Sequence, residues 1–169
     1  MTVKSLGFTA LFLVTLAGNG CAASLKGQVV DARTGEPIPG AIVVGVWTRV
    51  AGWPGLHHHE LIAVKETETD AQGRFALERA AQPAFEDDES LTIYKFGFIA
   101  WNNIIAYPSW KRRPTTSVPS QIPLESFPPG ASHQEHMIFI ENARRASGMY
   151  SHDMIPRFSN AIRQEMSLR

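Results

Sequence analysis

Past residue 24 this chain is cut repeatedly by glycine and proline, and the stretches between the cuts are short and rich in β-branched residues. Residues 32–40 hold Gly35, Pro37, Pro39 and Gly40, so neither a helix nor a central strand can run through them. A chain divided in this way buries its apolar side chains by laying many strands side by side. Residues 25–31 alternate loosely. Residues 41–50 form a long β-branched run, the composition of a central strand. A loop around Gly52, Trp53, Pro54 and Gly55 leads to residues 61–69, where Val64, Glu66 and Glu68 share one face. Asp70-Ala71-Gln72-Gly73 is a turn, and the alternation of residues 74–79 after it predicts a hairpin about that turn. Residues 91–96 alternate again up to Gly97, and residues 98–101 continue toward 104–107. Gln121-Ile122-Pro123-Leu124 reads as a closing edge strand, the place in a sheet where proline is tolerated. The expectation is an antiparallel β-sandwich.

Three blocks sharpen it. Gly27-Gln28-Val29-Val30-Asp31, then residues 34–41, then Thr69-Asp70-Ala71-Gln72-Gly73-Arg74-Phe75 resemble, in order and spacing, the carboxypeptidase regulatory-like domains. The resemblance covers roughly residues 24–107 and implies a mainly β fold, a seven-stranded antiparallel β-sandwich of prealbumin (transthyretin) type. It also implies a docking or folding-aid role rather than catalysis.

Ahead of this body, Lys4 precedes an apolar stretch over residues 6–17 that ends in small residues up to Ala23. The stretch falls short of the roughly 20 apolar residues a membrane span needs. Its order of charge, apolar core and small residues is that of a secretory signal peptide over residues 1–21. Cys21 is the only cysteine, so no internal disulfide is open to it. Its setting resembles the lipobox of bacterial lipoproteins, which implies a lipidated Cys21 and a membrane-anchored protein. Gly18-Asn19-Gly20 departs from the usual residues of that motif, and cleavage after Ala23 into the periplasm or medium is the alternative. Ala22 after the cysteine suits outer-membrane sorting in a Gram-negative cell.

Residues 24–126 form the expected sandwich, and the composition changes at Pro128-Pro129-Gly130. Residues 130–169 read as a two-helix appendage. Ser132 and Glu135 make a capping box for the first helix and Gly148 its stop, with Met137, Phe139, Ile140 and Ala143 as its apolar residues. A second helix is expected from about Asp153, with Pro156 in its first turn. Its apolar stripe is Met154, Ile155, Phe158, Ala161, Ile162 and Met166.

Charge excludes one class of partner. Lys+Arg and Asp+Glu are 16 each, and no basic face suggests nucleic acid. The acidic run at 86–89 and the basic run at 111–113 read as solvated loops. His57-His58-His59-Glu60 is the metal candidate: on a strand, only His57 and His59 share a face. A site needs three or four converging ligands, which Glu60 or the remote His133, His136 and His152 would have to complete. His133 and His136 stand three apart on the expected helix, on one side of it; the simpler reading puts them at the surface. Two enzyme families share the sandwich type. The intradiol dioxygenases need an Arg-Pro-x-His context, and Tyr94, Tyr107 and Tyr150 fit no pattern of theirs. The hydroxyisourate hydrolases end in Tyr-Arg-Gly-Ser, whereas this chain ends Met-Ser-Leu-Arg. No nucleophile-elbow or phosphate-loop motif occurs. Of Trp53, Trp101 and Trp110, Trp53 in its glycine-proline loop is the best ligand-contact candidate. The expected function is that of a non-catalytic exported envelope protein without a cofactor, docking an envelope protein or a glycan. The alternatives are a metal-binding protein using His57 and His59, and a carbohydrate-binding module using Trp53.

Overall fold

The computed structural model describes residues 24–53, 55–79, 87–148 and 150–168. The signal-peptide reading of residues 1–21, and with it Cys21, lies outside the described residues. The protein is mainly β, with two helices at its C-terminal end.

A three-stranded sheet has the order β4-β1-β9, built from β1 (Ser24–Asp31), β4 (Arg74–Glu78) and β9 (Gln121–Leu124). A four-stranded sheet has the order β3-β2-β5-β6, from β2 (Ile42–Trp53), β3 (Leu56–Glu68), β5 (Asp87–Tyr94) and β6 (Trp101–Asn102). Two further short strands, β7 (Ile105–Ala106) and β8 (Lys111–Arg112), pair with each other. Val29, Phe75, Leu77 and Ile122 of the first sheet share one buried cluster with Val43, Trp47, Leu91 and Ile93 of the second. Gly45 lies on that inner face, where a Cβ would stand 2.4 Å from Leu77 Cδ2 and 2.7 Å from the Trp47 ring. The missing side chain is what lets those two groups meet over β2.

The other face of the four-stranded sheet is covered by helices. α1 (His133–Ala146) and α2 (Pro156–Met166) pack Phe139, Ile140, Ala143, Phe158 and Ile162 onto Ile42, Val44, Val46 and Tyr94. Residues 42–48 of β2 are therefore buried on both faces, which accounts for the unbroken apolar run in this part of the chain. Ser132 Oγ accepts from the Glu135 N–H at 3.2 Å, as its sequence position suggested, and α1 stops before Gly148, whose φ is 113°. α2 has no capping side chain of its own. Glu66 of β3 supplies the cap from outside the helix, its carboxylate accepting from the Arg157 and Phe158 N–H groups at 2.8 and 3.0 Å.

Several expectations need correction. The turn at 70–73 exists: the Asp70 side chain accepts from the Gln72 and Arg74 N–H groups, and Gly73 has φ 68°. It does not close a hairpin. β3 pairs with β2 and β4 with β1, so the turn hands the chain from one sheet to the other. The hairpin is instead β2–β3, its last rung Trp53–Leu56. The sheets are not all antiparallel, because β9 runs parallel to β1 with Gln28 opposite Gln121. The long stretch from 108 to 120 carries the chain back along the molecule before β9 begins, which a tight turn could not do. β9 is nonetheless an edge strand, so Pro123 sits where a lost N–H costs least. α2 starts at Pro156 rather than Asp153, after a 3-10 turn over His152–Met154. Its stripe ends on buried Glu165, and Met166 is exposed.

Candidate functional site

Two places concentrate polar chemistry, and they differ in access. The first is largely buried. Glu165, on the buried side of α2, accepts from Tyr94 Oη at 2.9 Å through one carboxylate oxygen. Its other oxygen lies 2.6 Å from His136 Nδ1 and 2.9 Å from His133 Nδ1. His136 Nε2 accepts the Ala100 N–H at 2.8 Å, so that nitrogen carries no proton. The ring is then the neutral tautomer with its proton on Nδ1, donated to Glu165. Burial raises the Glu165 pKa, but the hydrogen bonds from His136, His133 and Tyr94 outweigh it and hold the carboxyl below its usual value. Burial and the carboxylate beside it push the Tyr94 hydroxyl up.

Tyr94, Tyr107, Phe127 and Phe139 surround the His136 ring with centroids 5.0–6.4 Å away. His133 stacks on Phe127 at 4.5 Å. A general base needs a free nitrogen within reach of a substrate. The Nε2 of His136 is taken by a backbone N–H inside a box of rings, whereas His133, bonded to the same carboxylate through Nδ1, is partly exposed. The arrangement ties α1, α2 and β5 together through one carboxylate. It also corrects the surface reading of the two helix histidines: His136 is buried and His133 half-buried. His152 lies apart, 3.9 Å from Glu141.

The second place is open. Where β2 leaves β5, a cleft of about 950 Å³ is bounded by His58 and His59 of β3, Asp88 and Glu89 of β5, residues 115–118, and the end of α1. Leu25, Leu61, Ile104 and Val118 make its apolar part, while Thr48, Thr115, Thr116 and Ser117 supply hydroxyls. Glu89 is held by Arg79 at 2.8 and 3.2 Å and by Trp47 Nε1 at 3.0 Å. The Ser90 and Ser147 hydroxyls bond to each other at the wall, and Ser147 also donates to the Ala143 carbonyl. Arg112 and Arg145 border the same space, Arg145 also bonding Glu141 at 3.3 Å.

The candidate residues sort out accordingly. His57 and His59 lie on β3, not in a loop, and both are exposed. His59 Nδ1 is 3.7 Å from Asp88, and among the described residues no group of three or more His, Cys, Asp or Glu side chains could hold a metal. Trp101 is buried with the Arg113 guanidinium 5.1 Å over its ring, and Trp110 packs edge-on to Phe139. Trp53 is 81% exposed. The charge runs are only partly solvated: Glu89 is bonded as described, and Arg113 donates to the Asn102 carbonyl at 2.7 Å. Sequence reasoning missed Glu165, Glu66 and the buried role of His136. Phase was the available signal, since His136 precedes Ile140 and Ala143 by four and seven residues and Glu165 follows Phe158 by seven.

No family model matches the chain, and no curated protein does. One solved structure, an alternative pilotin from the type II secretion system of Vibrio cholerae, is similar at 17% identity. The match covers 62% of this chain and 94% of that one, with a TM-score of 0.25, too low to carry an argument. Among the described residues no helix is long and apolar enough to cross a membrane.

Proposed function

We propose that this chain is a non-catalytic exported cell-envelope protein, a docking module held to a membrane by lipid on Cys21. In this reading the two sheets are a carboxypeptidase regulatory-like domain, a seven-stranded sandwich of prealbumin type. The blocks that suggested the family supply β1, the turn into β2 and the turn into β4, with Phe75 in the shared core. The observation that carries the docking role is the cleft of about 950 Å³, lined by apolar side chains such as Leu61 and Val118 together with hydroxyl, histidine, carboxylate and arginine groups. Such a surface suits an extended segment of a partner protein, whose backbone would meet the hydroxyls and whose side chains would meet Leu61 and Val118. Glycan contact at Trp53 has less in its favour, because its ladder partner is the apolar Leu56.

A photoreactive amino acid at Thr116 in the tagged full chain, crosslinked in living cells, tests the reading. One envelope protein captured reproducibly there, and not from a label at exposed Glu36, is the expected result. Equal capture from both positions would sink the docking role of the cleft.

A further inference from the structure

The pairing of β2 with β5 ends at Arg49–Asp87, but β2 and β3 go on together for four more rungs, Val50–His59, Ala51–His58, Gly52–His57 and Trp53–Leu56. Among the described residues these rungs pair only with each other and form an arm that runs on beyond β5. At ~3.3 Å per residue it projects ~13 Å. Its tip carries the two most exposed large apolar side chains among the described residues, Trp53 at 81% and Leu56 at 80%. Two such side chains paired across a free hairpin end ask for something to cover them.

Topology says what lies in front of them. Ser24 begins β1 at the same end of the molecule, since Leu25 lines one cleft with Thr48, just before the arm, and with His58 of the arm itself. Cys21 is three residues ahead of Ser24, and three residues span at most ~10 Å. A lipid on Cys21 would therefore bring a bilayer within about the length of the arm from the start of β1. Charge agrees with that occupant. From Val50 to His59 the chain contains no acidic residue, so entry into an anionic headgroup layer desolvates no carboxylate. Tryptophan is also the side chain most at home at that depth, apolar in its body and wet at its N–H.

We infer that the β2–β3 arm is a second membrane contact: Trp53 and Leu56 enter the headgroup region of the bilayer that holds the anchor, and so fix the orientation of the cleft above it. The inference rests on the lipid-anchor reading of Cys21. A single anchored chain leaves a domain free to tumble, whereas a second point of contact removes most of that freedom.

The test uses the full chain, produced in cells, extracted from membranes and reconstituted in phosphatidylethanolamine/phosphatidylglycerol vesicles. An environment-sensitive fluorophore is attached to Trp53→Cys or, as a control at the opposite end, to Glu36→Cys. Vesicle flotation and the intact mass of the protein score the anchor separately. The expected result is a blue-shifted emission at position 53, quenched severalfold more by brominated lipid than the emission at position 36. A floating protein whose label at 53 stays in water overturns the arm assignment and leaves the anchor standing. A protein that carries no lipid and does not float overturns the anchor, and the arm assignment with it. A blue shift that grows with protein concentration and needs no vesicles assigns the tip to a second copy of the chain, and overturns the membrane contact.

Discussion

β2 is one strand with two environments. From Ile42 to Thr48 it is buried on both faces, by the facing sheet on one side and by α1 and α2 on the other; from Val50 to Trp53 it passes from half-buried to exposed, and β3 is its only paired strand among the described residues. The two halves differ little in composition, Ile-Val-Val-Gly-Val-Trp against Val-Ala-Gly-Trp. What separates them is the extent of their neighbours. Among the described residues β5 accompanies β2 only as far as Asp87, and the helices cover the first half. Apolar character therefore marks β2 as a strand over its whole length without saying which part is core. The covered half is held by a carboxylate network and close packing, the free half by a single ladder.

The comparison breaks most readily at Glu165. Glu165→Ala leaves Tyr94 and two histidines without their acceptor in a buried site, so a loss of about 3–5 kcal/mol is expected in urea unfolding. A loss below about 1 kcal/mol would show that water replaces the carboxylate and that the network does not clamp the helices. The same residue sets a pH dependence. Its carboxyl pKa is lowered in the folded state, so its stabilisation is present above the unfolded value, near 4.5, and is lost as pH falls through the lower folded value. Glu165→Gln should flatten the fall in stability below about pH 4.5, and an unchanged acid slope would assign that slope to other groups. Ile140→Ala opens a cavity between α1 and the four-stranded sheet, and should cost about 2–4 kcal/mol in thermal or chemical unfolding.

Glu66→Ala is the intermediate case. It removes the external cap of α2, for about 1 kcal/mol, with the C-terminal helix exchanging amide protons faster than β2. At the free end the expectation reverses. Trp53→Ser and Leu56→Ser, exposed and outside both buried clusters, should change stability by less than about 0.5 kcal/mol. A larger loss on unfolding would mean that the arm packs on the body and is not free to meet a membrane.

Much of the local structure was legible in residue order. The Asp70–Gly73 turn, the Ser132 cap, the stop at Gly148, the edge position of Pro123 and the core face of α1 each depend on neighbours a few residues away. Chemistry within one turn of chain announces them. Pairing is another matter: the turn at 70–73 could have closed a hairpin, and only the presence of β1 beside β4 and of β2 beside β3 shows that it joins two sheets. The candidate site divides in the same way. His57, His59 and Trp53 drew notice as residue types, and the structure places them on one exposed arm without a third ligand among the described residues. Glu165 and His136 drew less notice, although each stands in phase with an apolar stripe. A polar residue in such a position is buried only if a partner arrives from elsewhere, and the partners of Glu165 are 29, 32 and 71 residues away. By itself the sequence determined where the chain turns, where it extends and where it coils, because those preferences are settled by steric and hydrogen-bonding forces of short range. Only the tertiary structure decided which strands meet, which charges are sealed in and which apolar side chains stay uncovered, because burial belongs to pairs of segments that sequence separates and packing brings together.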